Sequence, residues 1–172
     1  MNGNISVESK LDSGTVFIVK FPTNNKPSPD AVNIKLLDDE SKQILLPKGD
    51  YKILCVDDDE TNNNLVGLIL GENYKIDFVL TAEKSIELST KNKYDIILMD
   101  INLGYGMTGI DVVREIKKSA MNKNTPVVAL TAFTMKGDMQ EFLANGCDYY
   151  LSKPYTTRAL KELVKKIIKK KK

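Results

Sequence analysis

The sequence predicts an α/β domain: a doubly wound, five-stranded parallel sheet of order 2-1-3-4-5 carrying five helices. Two observations predict it. From Tyr51 onward, short apolar runs alternate with stretches of helical spacing. Two of those runs, IILM (Ile96–Met99) and VVAL (Val127–Leu130), are continuously apolar, as strands covered on both faces must be. Right-handed crossovers then put a helix after each strand, on alternate faces of the sheet.

From the N-terminus, GNISVESKLDSGTVFIVKFP reads as two alternating strands, Ile5–Glu8 and Thr15–Phe21, turning at Asp12-Ser13-Gly14. A two-stranded piece is marginal alone, so residues 1–22 are expected to be the edge of a domain that begins further upstream. Residues 23–50 hold Pro27, Pro29 and Pro47 among many polar residues and read as a linker, with Ile34–Leu37 and Ile44–Leu46 as short apolar stretches able to dock locally. Residues 51–172 form the α/β domain. Its strands are expected at Lys52–Val56, Lys75–Leu80, Asp95–Met99, Pro126–Leu130 and Asp148–Leu151. Its helices are expected at Glu60–Leu70, Ala82–Lys91, Gly109–Ser119, Met135–Asn145 and Thr156–Lys169. In the last helix Leu160, Leu163, Val164, Ile167 and Ile168 share one face, so the lysine-rich end KKIIKKKK reads as the wet side of a packed helix.

Composition narrows the chemistry. The chain has 172 residues, 42% hydrophobic and 28% charged, with a formal net charge of +2, which is too near neutral to make nucleic acid the main partner. No apolar run reaches membrane-spanning length, and the N-terminus lacks the layout of a signal peptide. Cys55 and Cys147 sit among apolar residues and are expected as buried free thiols, with two strands between them in this order and so too distant to bridge. There is no histidine, which removes Ser-His-Asp and Cys-His nucleophiles and histidine-ligated metals. Chemistry here must run on carboxylates, lysine and hydroxyls.

Open parallel sheets bind ligands beyond the carboxyl ends of their strands, where the strand order reverses. Asp57 and Asp58 end the first strand and Asp100 ends the third, so three carboxylates converge at that point. Two carboxylates about 4 Å apart repel by roughly 4 kcal/mol at an effective dielectric of about 20. A cation offsets that, and an all-oxygen site suits Mg²⁺ or Mn²⁺. Thr131 ends the fourth strand and Lys153 follows the fifth, on the same rim. A phosphoryl group on Asp100 would find its charge met by the metal, the Lys153 ammonium and the Thr131 hydroxyl. Singly each residue has a commoner use: Asp58 or Asp59 could cap the helix from Glu60, and Lys153 could be a surface lysine. Together on one rim they point to phosphoryl chemistry.

ILCVDDDETN, ILMDINL, VVALTA and YYLSKPY resemble, in order and spacing, the response-regulator receiver domain, whose fold is flavodoxin-like. The resemblance covers Tyr51 to the C-terminus. It implies Asp100 as phosphoacceptor and Asp58 as a direct Mg²⁺ ligand, with Asp57 acting through water and Asn102 through its backbone carbonyl. It further implies phosphate sensing by Thr131 and Lys153, Tyr150 as a switch aromatic, and a cis Lys153–Pro154 bond. A receiver catalyses its own phosphorylation and slow dephosphorylation. Its partners would be a phosphohistidine-bearing kinase dimerisation domain or a histidine phosphotransfer protein, with a weak dimer as a further expectation and no contact with nucleic acid or membrane. Residues 1–22 resemble the last strands of a histidine-kinase ATP-binding domain, so the order of parts is similar to a hybrid sensor histidine kinase. The expected location is cytoplasmic, as a free protein or as the cytoplasmic part of a membrane-anchored sensor. The family usually has proline four residues after the acceptor. Here it is Gly104, and GYGMTG puts Gly109 one residue late, implying a longer, more mobile loop.

Two other classes fit these residues less well. A haloacid-dehalogenase-like phosphohydrolase would use Asp57, Asp59 and Thr61 as its opening motif, but needs an acidic pair after Lys153, where only Glu162 stands. A flavodoxin-like cofactor binder would need a Gly, Ser and Thr loop after the first strand, where this chain has carboxylates.

Overall fold

The computed structural model of the protein describes residues 4–10, 14–20, 44–104, 106–132 and 138–171. The expected turn residues 12 and 13, the stretch Ile34–Leu37 and the helix start at Met135 lie outside them. The chain divides into two compact units, residues 1–42 and 43–172. In the first, β1 (Asn4–Lys10) pairs antiparallel with β2 (Gly14–Lys20), and Ile5 and Val7 stand exposed on one face.

The second unit holds five parallel strands, β3 (Lys52–Val56), β4 (Lys75–Val79), β5 (Ile96–Asp100), β6 (Val127–Thr131) and β7 (Tyr149–Ser152). Their order across the sheet is β4-β3-β5-β6-β7, the order that the alternating pattern predicts. Every residue of the central β5 and β6 is buried. The helices are α1 (Glu60–Leu70), α2 (Ala82–Lys91), α3 (Gly109–Lys118), α4 (Asp138–Ala144) and α5 (Thr157–Lys170).

Period-two alternation splits the core into two layers. Leu54, Val56, Ile97, Met99 and Ala129 face Ala82, Val112, Ile116 and Phe142 from α2, α3 and α4. Ile53, Cys55, Ile96, Leu98 and Val128 face Val66, Ile69, Leu160, Val164 and Ile167 from α1 and α5. Cys55 and Cys147 are therefore free thiols in opposite layers. Burial pushes the Cys147 thiol up to about 11 and raises Cys55 further, which leaves both inert. Ile44 and Leu46 pack into the layer beneath α1 and α5.

Three expected strand starts, Asp95, Pro126 and Asp148, are corrected, each strand beginning one residue later. Asp95 and Asp148 each precede their strand, and their side chains accept from a neighbouring strand's first residues, Lys52 N at 2.9 Å and Val127 N at 2.9 Å. Each carboxylate also takes a lysine, Lys171 on Asp95 and Lys117 on Asp148. Leu80 lies just past β4 and is exposed, because the strand ends once its last buried residue, Val79, has been placed.

Candidate phosphoacceptor site

The rim at the carboxyl ends of β3, β5, β6 and β7 gathers the predicted residues. Asp57 follows β3 directly and is held there by its backbone N–H donating to Val79 O at 3.1 Å. Its side chain is almost fully buried. Oδ1 accepts from Asp59 N at 3.1 Å and Asn62 Nδ2 at 3.0 Å, while Oδ2 takes Lys153 Nζ at 2.7 Å. Asp100 closes β5, its Oδ1 accepting from Asn102 N at 3.0 Å and its Oδ2 from Lys153 Nζ at 2.7 Å. One ammonium thus bridges two buried carboxylates from different strands.

Asp58 is exposed, yet a carboxylate oxygen from each of Asp57, Asp58 and Asp100 lies within 4.8 Å of the others. The helix cap falls to Asp59, whose side chain accepts from Thr61 N at 2.7 Å; this frees Asp58 from that duty. Three carboxylates against one ammonium leave two negative charges uncompensated. The donors are all oxygen and partly open to solvent, which is the chemistry a small divalent cation fits.

Charge and burial compete here. Burial pushes the Asp100 carboxyl above the ordinary aspartate value, against the hydrogen bonds from Lys153 and from the Asn102 backbone. Burial pulls the Lys153 ammonium down, but the hydrogen bonds from it to Asp100 and Asp57 outweigh that and leave it raised. The lysine stays charged at neutral pH.

Thr131 is buried at the last position of β6, and its carbonyl accepts Lys153 N at 2.7 Å, which ties the lysine's backbone to the strand beside Asp100. The Lys153–Pro154 peptide is cis, as expected. Tyr150 on β7 is 46% exposed, so its ring faces solvent. Asn102 lies in the loop after β5, exposed, its N–H on Asp100. Gly109 opens α3 where it must: a Cβ there would lie 2.0 Å from the Asp100 carbonyl oxygen.

Two residues escaped the sequence reading. Asn62 steadies Asp57 Oδ1, and the buried Asn63 donates from Nδ2 to Asp57 O at 3.0 Å. The signal was a run of three asparagines in the first turns of α1, directly after the acidic cluster.

The family described as the response regulator receiver domain matches residues 53–165. The chain belongs to that family. Among relatives of this receiver is the aerobic respiration control sensor protein ArcB of Escherichia coli (strain K12), 33% identical over 168 residues, covering 96% of this chain. The chain spans 20% of ArcB's length. The polar-differentiation response regulator DivK of Brucella anthropi is 32% identical over 114 residues, 66% of this chain and 92% of DivK. Among solved structures, the receiver domain of the sensor histidine kinase PA1611 from Pseudomonas aeruginosa matches with a TM-score of 0.64 at 28% identity. That match covers 70% of this chain and 99% of the other, whose structure holds a magnesium ion in its active site cleft. The receiver is a two-component signalling module. The haloacid-dehalogenase alternative finds no support, since the family match is to the receiver domain and Asp59 spends its carboxylate on the α1 cap.

Proposed function

We propose that Asp100 accepts a phosphoryl group from a phosphohistidine on a partner and later loses it to water. The observation that carries this reading is the Lys153 ammonium bridging Asp57 and Asp100 at 2.7 Å each, beside an Asp58 carboxylate that leaves the cluster negatively charged. Mg²⁺ would be held by Asp58, by Asp57 through water, by Asp100 and by the Asn102 carbonyl, with Mn²⁺ able to replace it. The bound ion would offset charge on the phosphoryl oxygens.

An Asp100 carboxylate oxygen attacks phosphorus. The new O–P bond forms as the N–P bond of phosphohistidine breaks, its electron pair returning to the imidazole. Lys153 trades its Asp100 contact for a phosphoryl oxygen while keeping Asp57, and the Thr131 hydroxyl meets another oxygen. The outward ring of Tyr150 turns inward as Thr131 shifts, which makes a switch read by the next partner. In dephosphorylation, water attacks phosphorus and leaves the Asp100 carboxylate and inorganic phosphate.

Residues 1–22 are read as the edge of a kinase ATP-binding domain, 23–50 as linker and 51–172 as receiver, together a piece of a hybrid sensor histidine kinase. The ArcB match, which extends over 96% of the chain, supports that order. The partner is then a phosphohistidine-bearing dimerisation domain or phosphotransfer protein, with weak self-association, in the cytoplasm. Among the described residues no helix is long and apolar enough to cross a membrane.

Incubation with radiolabelled acetyl phosphate and Mg²⁺ should label the wild type, and chelating the metal should stop it. Asp100→Asn should take up no label. Label persisting on that variant would refute the assignment.

A further inference from the structure

Gly104, four residues past Asp100, has φ of +68°, and a Cβ built on it would stand 2.9 Å from Asp58 Oδ2 and 4.0 Å from Asp58 Cγ. A carbon and an oxygen do not rest that close, so one of them would move. The other two carboxylates of the cluster are pinned: Asp57 by Asn62, Asp59 N and Lys153, and Asp100 by Asn102 N and Lys153. Asp58 is exposed, and among the described residues no hydrogen bond or ion pair holds its carboxylate. The one side chain free to give way is therefore the one whose position completes the cluster.

Gly106, two residues on, makes the contrast. Its φ is +103°, so it carries the same backbone demand in the same loop, yet nothing lies within 4 Å of its Cβ position. Both glycines satisfy the turn, but only Gly104 borders a carboxylate.

We propose that Gly104 is a positioning residue for the divalent cation: its missing Cβ leaves the space in which the Asp58 carboxylate stands beside Asp57 and Asp100. This rests on the Mg²⁺ reading above. Mg²⁺ holds its ligands at near-ideal octahedral geometry, so a carboxylate pushed aside by a methyl group weakens the site without touching the acceptor. Proline, fixed at φ near −65°, cannot adopt the Gly104 conformation, so the residue common at this position in the family does not fit this turn.

The test is calorimetric titration of Mg²⁺ into the full chain and into Gly104→Ala, Gly104→Asn and Gly106→Ala, with far-UV circular dichroism to check folding. Asparagine tolerates a left-handed backbone but still carries a Cβ, so it separates contact from strain. Both Gly104 variants should bind about tenfold more weakly, the scale seen when support for a metal ligand is lost. Gly106→Ala should stay within about twofold of wild type, the range of a surface substitution that touches no ligand. In acetyl phosphate labelling, the Mg²⁺ concentration for half-maximal rate should rise for the Gly104 variants while the plateau rate is unchanged. Wild-type affinity in both Gly104 variants, an equal loss in Gly106→Ala, or a loss in Gly104→Ala that Gly104→Asn lacks would overturn the inference. A wild-type chain that takes up no Mg²⁺ would instead refute the reading beneath it.

Discussion

Burial and the Lys153 ion pair pull the Asp100 carboxyl in opposite directions, and burial wins, so the carboxyl lies above its ordinary value. A folded-state value above the unfolded one means the native protein binds that proton more tightly. Its contribution is then most favourable below about pH 4, the unfolded aspartate value, and is lost as pH rises through the folded value. Asp100→Asn removes that penalty and leaves Lys153 paired with Asp57. In Mg²⁺-free buffer the variant should have a higher urea midpoint than wild type at pH 7, the gap closing below about pH 4. A gap independent of pH would show that packing, not ionisation, sets the difference. Asp57, Asp58, Asp100, Thr131 and Lys153 were legible in the sequence because each follows an apolar run, and parallel strands deliver all their carboxyl ends to one rim. Asn62 was marked only by the run of three asparagines after the acidic cluster, because its reach to Asp57 depends on the phase of α1 after a tight turn. The departure at Gly104 was visible, but its contact with Asp58 needed coordinates.

Among the elements, the starts of strands were misread where a carboxylate mimics the ladder. Asp95 and Asp148 each donate a backbone N–H to the neighbouring strand, to Lys52 O and Val127 O, and accept with the side chain from the same residue, so in sequence they look continuous with the apolar run. The opposite end of the sheet from the acceptor depends on a residue with no sequence signal. Asn122, fully buried in the loop between α3 and β6, donates to Ser89 O at 2.6 Å and Asn92 O at 2.7 Å. Its Oδ1 accepts from Tyr94 N and from Thr125 Oγ1, both at 3.0 Å. One side chain joins the end of α2, the approach to β5 and the loop before β6. Asn122→Ala would strand buried backbone groups on two elements, costing about 3 kcal/mol given about 1 to 3 kcal/mol for each unsatisfied group. Urea denaturation should show this with an unchanged slope, and labelling at Asp100 should persist. A loss under about 0.5 kcal/mol, the range of ordinary surface substitutions, would mean that water replaces the amide.

Over the molecule as a whole, the unit that begins at Gln43 carries both core layers, and its first apolar residues belong to it. Leu46 is buried and Ile44 packs on the same layer as Val164, Ile167 and Ile168, while Leu46 and Pro47 share a cleft with Lys165 and Lys169 near the end of α5. That end lies away from the acceptor rim, because α5 starts just after Lys153 and runs back along the sheet. Pattern reading marks Ile44–Leu46 as able to dock but keeps it in the linker, because three apolar residues before Pro47 are too few to show a period. Folding and phosphoacceptance should therefore separate on truncation. A chain starting at Gln43 should keep the stability in urea that this unit has in the full chain, whereas one starting at Asp50 should lose about 2 kcal/mol, the value of burying one leucine. Both should still be labelled at Asp100 when folded, since Asp57, Asp58, Asp100, Thr131 and Lys153 all lie in the part retained. Equal stability of the two truncated chains would show that the Ile44–Pro47 segment rests on the surface without supporting it.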